Sequence, residues 1–74
     1  MKPREQRLEA LLERIRSAGP AGTDLVTTVR WAAGECEVAY LTARGYLDDL
    51  VHRGAVALRY GRLYATGRDT RGRL

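Results

Sequence analysis

Apolar residues along the first quarter of the chain recur at helical spacing. Leu8, Leu11, Leu12 and Ile15 fall at i, i+3, i+4 and i+7, one face of a helix, while Glu5, Glu9, Glu13, Arg14 and Arg16 take the other faces. The pattern predicts a helix over about residues 4–18, stopped by Gly19-Pro20, because glycine accepts a left-handed cap and proline cannot continue the turn. Thr23 or Asp24 suits the N-cap of a second helix. Its stripe is Leu25, Val29, Ala32 and Ala33, with Val26 and Trp31 beside it and Gly34 as the stop. The β-branched run Val26-Thr27-Thr28-Val29 lowers helix propensity, so packing has to supply the stability. A third helix, starting at about Glu37–Tyr40 and ending at Arg53 before Gly54, is marked by Ala43, Leu47, Leu50 and Val51. Gly45 within it costs about 1 kcal/mol relative to alanine, a cost that suits a place where backbone must come close to a neighbour or a ligand.

Beyond Gly54 the pattern changes to two short apolar runs, Ala55–Tyr60 and Leu63–Thr66. Gly61-Arg62 between them fits a two-residue type II′ turn, which pairs Tyr60 with Leu63, Arg59 with Tyr64 and Leu58 with Ala65. Val56, Leu58 and Ala65 then share the core side, with Arg59 and Tyr64 opposite. A one-residue slip, which inverts the faces, and a longer loop over Arg59–Arg62 remain alternatives. The expectation is one α+β domain, mostly α, over residues 1–66, followed by a basic tail over 67–74 that lacks apolar content for packing.

Composition narrows the function classes. The chain has 74 residues and is 45% hydrophobic, enough for one small core. Cys36 stands alone, so no internal disulfide is expected. One histidine and one cysteine do not make a zinc site unaided. No apolar run nears the roughly 20 residues that span a bilayer, and the start is not that of a signal peptide; a cytoplasmic protein is expected. The net charge of +4 is unevenly placed. Residues 1–52 carry seven basic and eight acidic groups, whereas residues 53–74 carry six arginines against Asp69 alone. That asymmetry favours a polyanion partner for the last third of the chain.

Three helices followed by a basic ribbon, with Leu47, Leu50, Gly54 and Val56 forming an L-x-x-L-x-x-x-G-x-V phrase, resemble the winged helix-turn-helix DNA-binding domains of bacteria and phage. Gly19–Val26 resembles the link into that family's second helix, and Arg59–Tyr64 its wing with an aromatic return strand. The resemblance covers about residues 5–66 and implies a three-helix fold with a C-terminal two-stranded β-hairpin wing. The 13 residues from Gly34 to Leu47 exceed the usual spacing of the family. Either the second helix overruns Gly34, the turn is enlarged, or the third helix starts early.

The resemblance also implies that the third helix enters the major groove while basic side chains hold phosphates. With Ala43, Leu47 and Leu50 inward, the outward positions are Tyr40 or Leu41, Thr42, Arg44, Gly45 and Asp48. Arg44 suits a bidentate pair with guanine, and Thr42 a phosphate or thymine methyl. Arg59 and Arg62 on the wing suit the backbone or minor groove, Arg62 from the tip, and Arg68 and Arg71, with Arg73, suit a tail that tracks phosphates. Each has a plainer reading: a solvated helix arginine, a charge-protected edge strand, a soluble tail. Asp49 is expected to pair with Arg53 four residues on. His52 and Cys36 carry no catalytic pattern, and Trp31, Tyr40, Tyr46 and Tyr60 are assigned to core or interface packing and not to base stacking. The expected function is sequence-specific binding of double-stranded DNA by a small, nucleoid-associated transcriptional regulator, with repression and a homodimer among the options. Neither catalysis, a cofactor nor a small-molecule ligand is expected. The alternative is a protein–protein interaction module on the same fold.

Overall fold

The computed structural model describes residues 3–67. Three helices, α1 (Arg4–Arg16), α2 (Leu25–Cys36) and α3 (Tyr40–His52), pack with a small antiparallel sheet of β1 (Thr23–Asp24), β2 (Val56–Arg59) and β3 (Arg62–Ala65). The fold is α+β, mostly helical, with a winged-helix-like topology in which the β2–β3 hairpin follows α3. A short 3-10 turn over Gly19–Ala21 links α1 to β1.

The core lies where the apolar stripes meet. Leu8, Leu11, Leu12 and Ile15 of α1, Val29 and Ala32 of α2, Ala43, Tyr46, Leu47 and Leu50 of α3, and Val56 and Leu63 of the hairpin are all buried. Thr28 is the buried polar member of α2, and its hydroxyl lies 2.9 Å from that of Thr23 on β1. Leu25, Trp31, Tyr40 and Ala65 pack around the edge.

Helix ends explain the spacing around residues 34–40. Asp24 caps α2 by accepting from the Thr27 amide at 2.9 Å. That hydrogen bond is the main cause holding the Asp24 carboxyl below its usual range. The helix overruns Gly34, contrary to the expected stop, by two residues to Cys36, and closes on Glu37 at φ 55°. The Val38 amide reaches Ala33 O at 3.0 Å and the Glu37 amide Gly34 O at 3.4 Å, the paired bonds of a Schellman cap with glutamate where glycine is usual. Helix α3 ends the same way with the expected glycine: Gly54, at φ 81°, sends its amide to Val51 O, and Ala55 sends its own to Leu50 O, both at 3.0 Å.

The hairpin register also departs from expectation. Val56 pairs with Ala65, Ala57 with Tyr64, Leu58 with Leu63 and Arg59 with Arg62. The turn is therefore Tyr60-Gly61, and positive φ at both residues (51° and 75°) makes it type I′ rather than II′. Every pairing moves by two residues, so each side chain keeps its face. Leu58 lies beyond the edge of the core and is 38% exposed instead of buried. Bonds on the far edge of β3 hold this register. Strand β1, which the sequence pattern did not reveal, pairs Thr23 with Leu63 and Asp24 with Arg62, and the Leu25 amide donates to Gly61 O at 2.9 Å.

Candidate nucleic-acid interface

Helix α3 turns Ala43, Tyr46, Leu47 and Leu50 inward, and its opposite side is built from the expected residues. Leu41, Thr42 and Asp48 are exposed, while Arg44 and Gly45 are half-buried. Tyr40 packs at the core's margin, which leaves Leu41 as the open member of that pair, 81% exposed. A Cβ built on Gly45 meets nothing within 4 Å, so no neighbour among the described residues requires glycine there. Ala39 gives α3 no side-chain cap, so among the described residues the amides of its first turn have no side-chain acceptor.

Arg44 is not free of partners. Its Nε donates to Asp48 Oδ1 at 3.1 Å. An exposed i,i+4 pair of this kind is worth only about 0.3–0.5 kcal/mol, less than the roughly 1–3 kcal/mol of a bidentate guanine contact. Asp48 thus orients Arg44 without locking it away.

On the hairpin the two expected arginines differ. Arg59 and Arg62 face each other across the ladder, on the sheet face away from the core. Arg62 is engaged with the protein itself: Nε donates to Ala21 O at 3.2 Å and Nη2 to Gly22 O at 3.1 Å. It sits in β3 and not at the tip. Arg59 is exposed, and among the described residues its side chain enters no hydrogen bond or ion pair. Arg30 on α2 is in the same position. Arg68 and Arg71 lie outside the described residues, as does Arg73. Residues 3–67 carry nine arginines against eight carboxylates, so most of the positive surplus belongs to Lys2 and the last seven positions.

Tyr60 is the residue that sequence reasoning misplaced. Expected in the strand opposite Leu63, it stands instead at the hairpin tip, fully exposed and in left-handed backbone. The available signal was the Tyr60-Gly61 pair itself, whose glycine serves the second position of a type I′ turn as well as the first of a II′ turn. Tyr46, by contrast, is buried. Its hydroxyl accepts from Arg7 Nη1, and the guanidiniums of Arg4 and Arg7 lie 5.0 and 5.8 Å from its ring centre.

The expected Asp49–Arg53 pair forms, with Nε to Oδ1 at 2.9 Å, and it extends to α1. Arg53 also grips both oxygens of Glu5 at 2.9 and 3.0 Å, and Arg4 reaches Asp49 at 3.3 Å. Arg53's hydrogen bonds hold the Glu5 carboxyl below its ordinary range. For Asp49, burial pushes upward, but the bonds and charges of Arg53 and Arg4 outweigh it and leave the carboxyl lowered. The network ties α1 to α3 and uses four charges structurally. Among the described residues no group of three His, Cys, Asp or Glu side chains is placed to hold a metal ion, and no helix is long and apolar enough to cross a membrane.

No family model matches this chain, nor does any curated protein or solved structure.

Proposed function

We propose that this chain is a sequence-specific double-stranded-DNA-binding protein, a small transcriptional regulator of bacterial, phage or plasmid type that acts by occupying its site and not by catalysis. The observation that carries the reading is the winged-helix-like order of helices and ribbon, with Thr42, Arg44 and Gly45 on the solvent side of α3. In this reading α3 lies in the major groove and Arg44 exchanges Asp48 for a guanine edge. Thr42 and the first-turn amides hold phosphate, and Arg59 sits on the backbone beside the hairpin. Arg68 and Arg71 follow neighbouring phosphates. A single copy contacts few base pairs, so two copies on a palindrome give a fuller site.

Selection of bound duplexes from genomic fragments, then fluorescence anisotropy on the selected site, tests the reading. Nanomolar to micromolar affinity that weakens steeply with salt is expected. Arg44→Ala should weaken binding to that site by about 5- to 150-fold, the equivalent of about 1–3 kcal/mol, and relax the preference at one base pair. Unchanged affinity and preference defeat the assigned face.

A second reading, a protein-interaction module, is favoured by Leu41, an open apolar side chain near the start of α3, and by the nearly balanced charge of residues 3–67. A protein partner retained by the wild type and lost with Leu41→Ser, with no duplex held at low salt, supports it.

A further inference from the structure

Two-residue hairpin turns of type I′ favour Asn-Gly, Asp-Gly or Gly-Gly because both residues need positive φ. This chain has tyrosine at the first position, at φ 51°. For a bulky side chain that backbone is a real outlier. The ring gains nothing from the fold in return: Tyr60 is fully exposed, and among the described residues no hydrogen bond or ring contact involves it. Three connections around it fix the turn, namely the Asp24↔Arg62 and Arg59↔Arg62 pairings and the Leu25 amide on Gly61 O. The surrounding structure thus imposes the strain and projects an aromatic ring from the tip. Strain held by its surroundings at an exposed position is a mark of functional sites.

We infer that Tyr60 is a non-ionic wedge that the hairpin places in the minor groove of bound DNA. This deepens the proposed function and rests on it. The shape of the tip fits such a role. Gly61 beside the ring brings no side chain of its own, and apart from its chain neighbours nothing lies within 4 Å of its Cβ position, so no other residue flanks the tip on that side. The neighbouring charges are disposed for it as well. Arg62 is tied to the Ala21 and Gly22 carbonyls, whereas Arg59 is free to take the adjacent phosphate. An apolar ring at that depth touches sugar walls and base edges and opens a base step, as other minor-groove wedges do. The contact adds affinity without adding charge.

The test uses the full chain and a fluorescent 30-base-pair duplex pool of random sequence, titrated by anisotropy from 50 to 200 mM salt. Tyr60→Asn keeps a residue that favours the left-handed region, so the variant folds, and its Tm should rise by about 4–8 °C from relieved strain. Its affinity should fall about tenfold with the slope of log affinity against log salt unchanged. Arg59→Ala should instead flatten that slope by about 0.9. Tyr60→Phe, which keeps the ring, should bind within twofold of wild type. If wild type binds and Tyr60→Asn binds equally well, the wedge is overturned while the DNA reading stands. A loss with Tyr60→Asn that flattens the salt slope also overturns it. If wild type fails to bind the pool even at 50 mM salt, both fall together.

Discussion

Gly22 is where the fold tolerates least. It sits at φ 74° and ψ −173°, a region open essentially to glycine alone, between the 3-10 turn and β1. A Cβ there would lie 2.6 Å from Tyr64 Cε1, 2.8 Å from Tyr64 Cδ1 and 2.7 Å from the Leu63 carbonyl oxygen. The ring can swing aside; the carbonyl, in the central strand of the sheet, cannot. Gly22→Ala therefore combines a backbone cost of about 1–3 kcal/mol with an overpacking cost of about 1–3 kcal/mol. A total near 3–4 kcal/mol is a large share of the roughly 4–11 kcal/mol expected for a domain of this size. Urea unfolding followed by Trp31 fluorescence reads it, since Arg14 lies 5.0 Å over that ring in the folded state. The midpoint should fall at nearly constant slope, and Tm should drop by at least about 12 °C. Adding Tyr64→Ala removes the ring overlap and leaves the carbonyl one, so the double variant should recover only part of the loss, relative to Tyr64→Ala alone. A Gly22→Ala loss below about 1 kcal/mol would refute the steric reasoning.

Four further outcomes are expected. Gly45→Ala, in open space mid-helix, should gain up to about 1 kcal/mol of stability; if it also weakens duplex binding, glycine's use there is close approach to a ligand, and a Tm that fails to rise contradicts the open-space geometry. Glu37→Gly should raise stability by about 0.5–1 kcal/mol, as the left-handed penalty exceeds the entropy glycine adds to the unfolded chain, and a lower urea midpoint would count against the Schellman cap. Arg62→Ala should lose about 1 kcal/mol with no DNA present, because the Ala21 and Gly22 carbonyls lose their donor; unaltered melting would show that clasp to be idle. Glu5 and Asp49 have lowered carboxyls, so their contribution is present above the ordinary carboxylate range near pH 4 and is lost as pH falls through their lower folded values. Arg53→Met should therefore destabilise at pH 7 and converge on wild type in acid, and a gap that stays constant from pH 7 to pH 2 would exclude the network as its source.

The three helices were legible because each carries a long periodic stripe, and Leu8, Leu11, Leu12 and Ile15 are buried as that stripe requires. Gly54 closed α3 as expected because glycine meets the least resistance at a left-handed cap. Glu37 in the same role left no trace in the sequence, since packing of Val38 and Ala33 at the core margin outweighs a residue's own preference. β1 was hidden because two residues make no alternation. Without its bonds to Leu63 and Arg62, nothing in the sequence favoured a Tyr60-Gly61 turn over Gly61-Arg62. The outward face of α3 was readable from its inward one. The engagement of Arg62 was not, because its acceptors are backbone carbonyls about 40 positions away.

The bond from the Leu25 amide to Gly61 O joins the hairpin's turn to the first residue of α2. Together with the rungs that join β1 to β3, it makes the ribbon a rigid outrigger and not a swinging arm. Force applied at the turn passes straight into the base of α2. Whatever grips the ribbon therefore steers the whole helical body, and the angle between ribbon and α3 is set before any partner arrives.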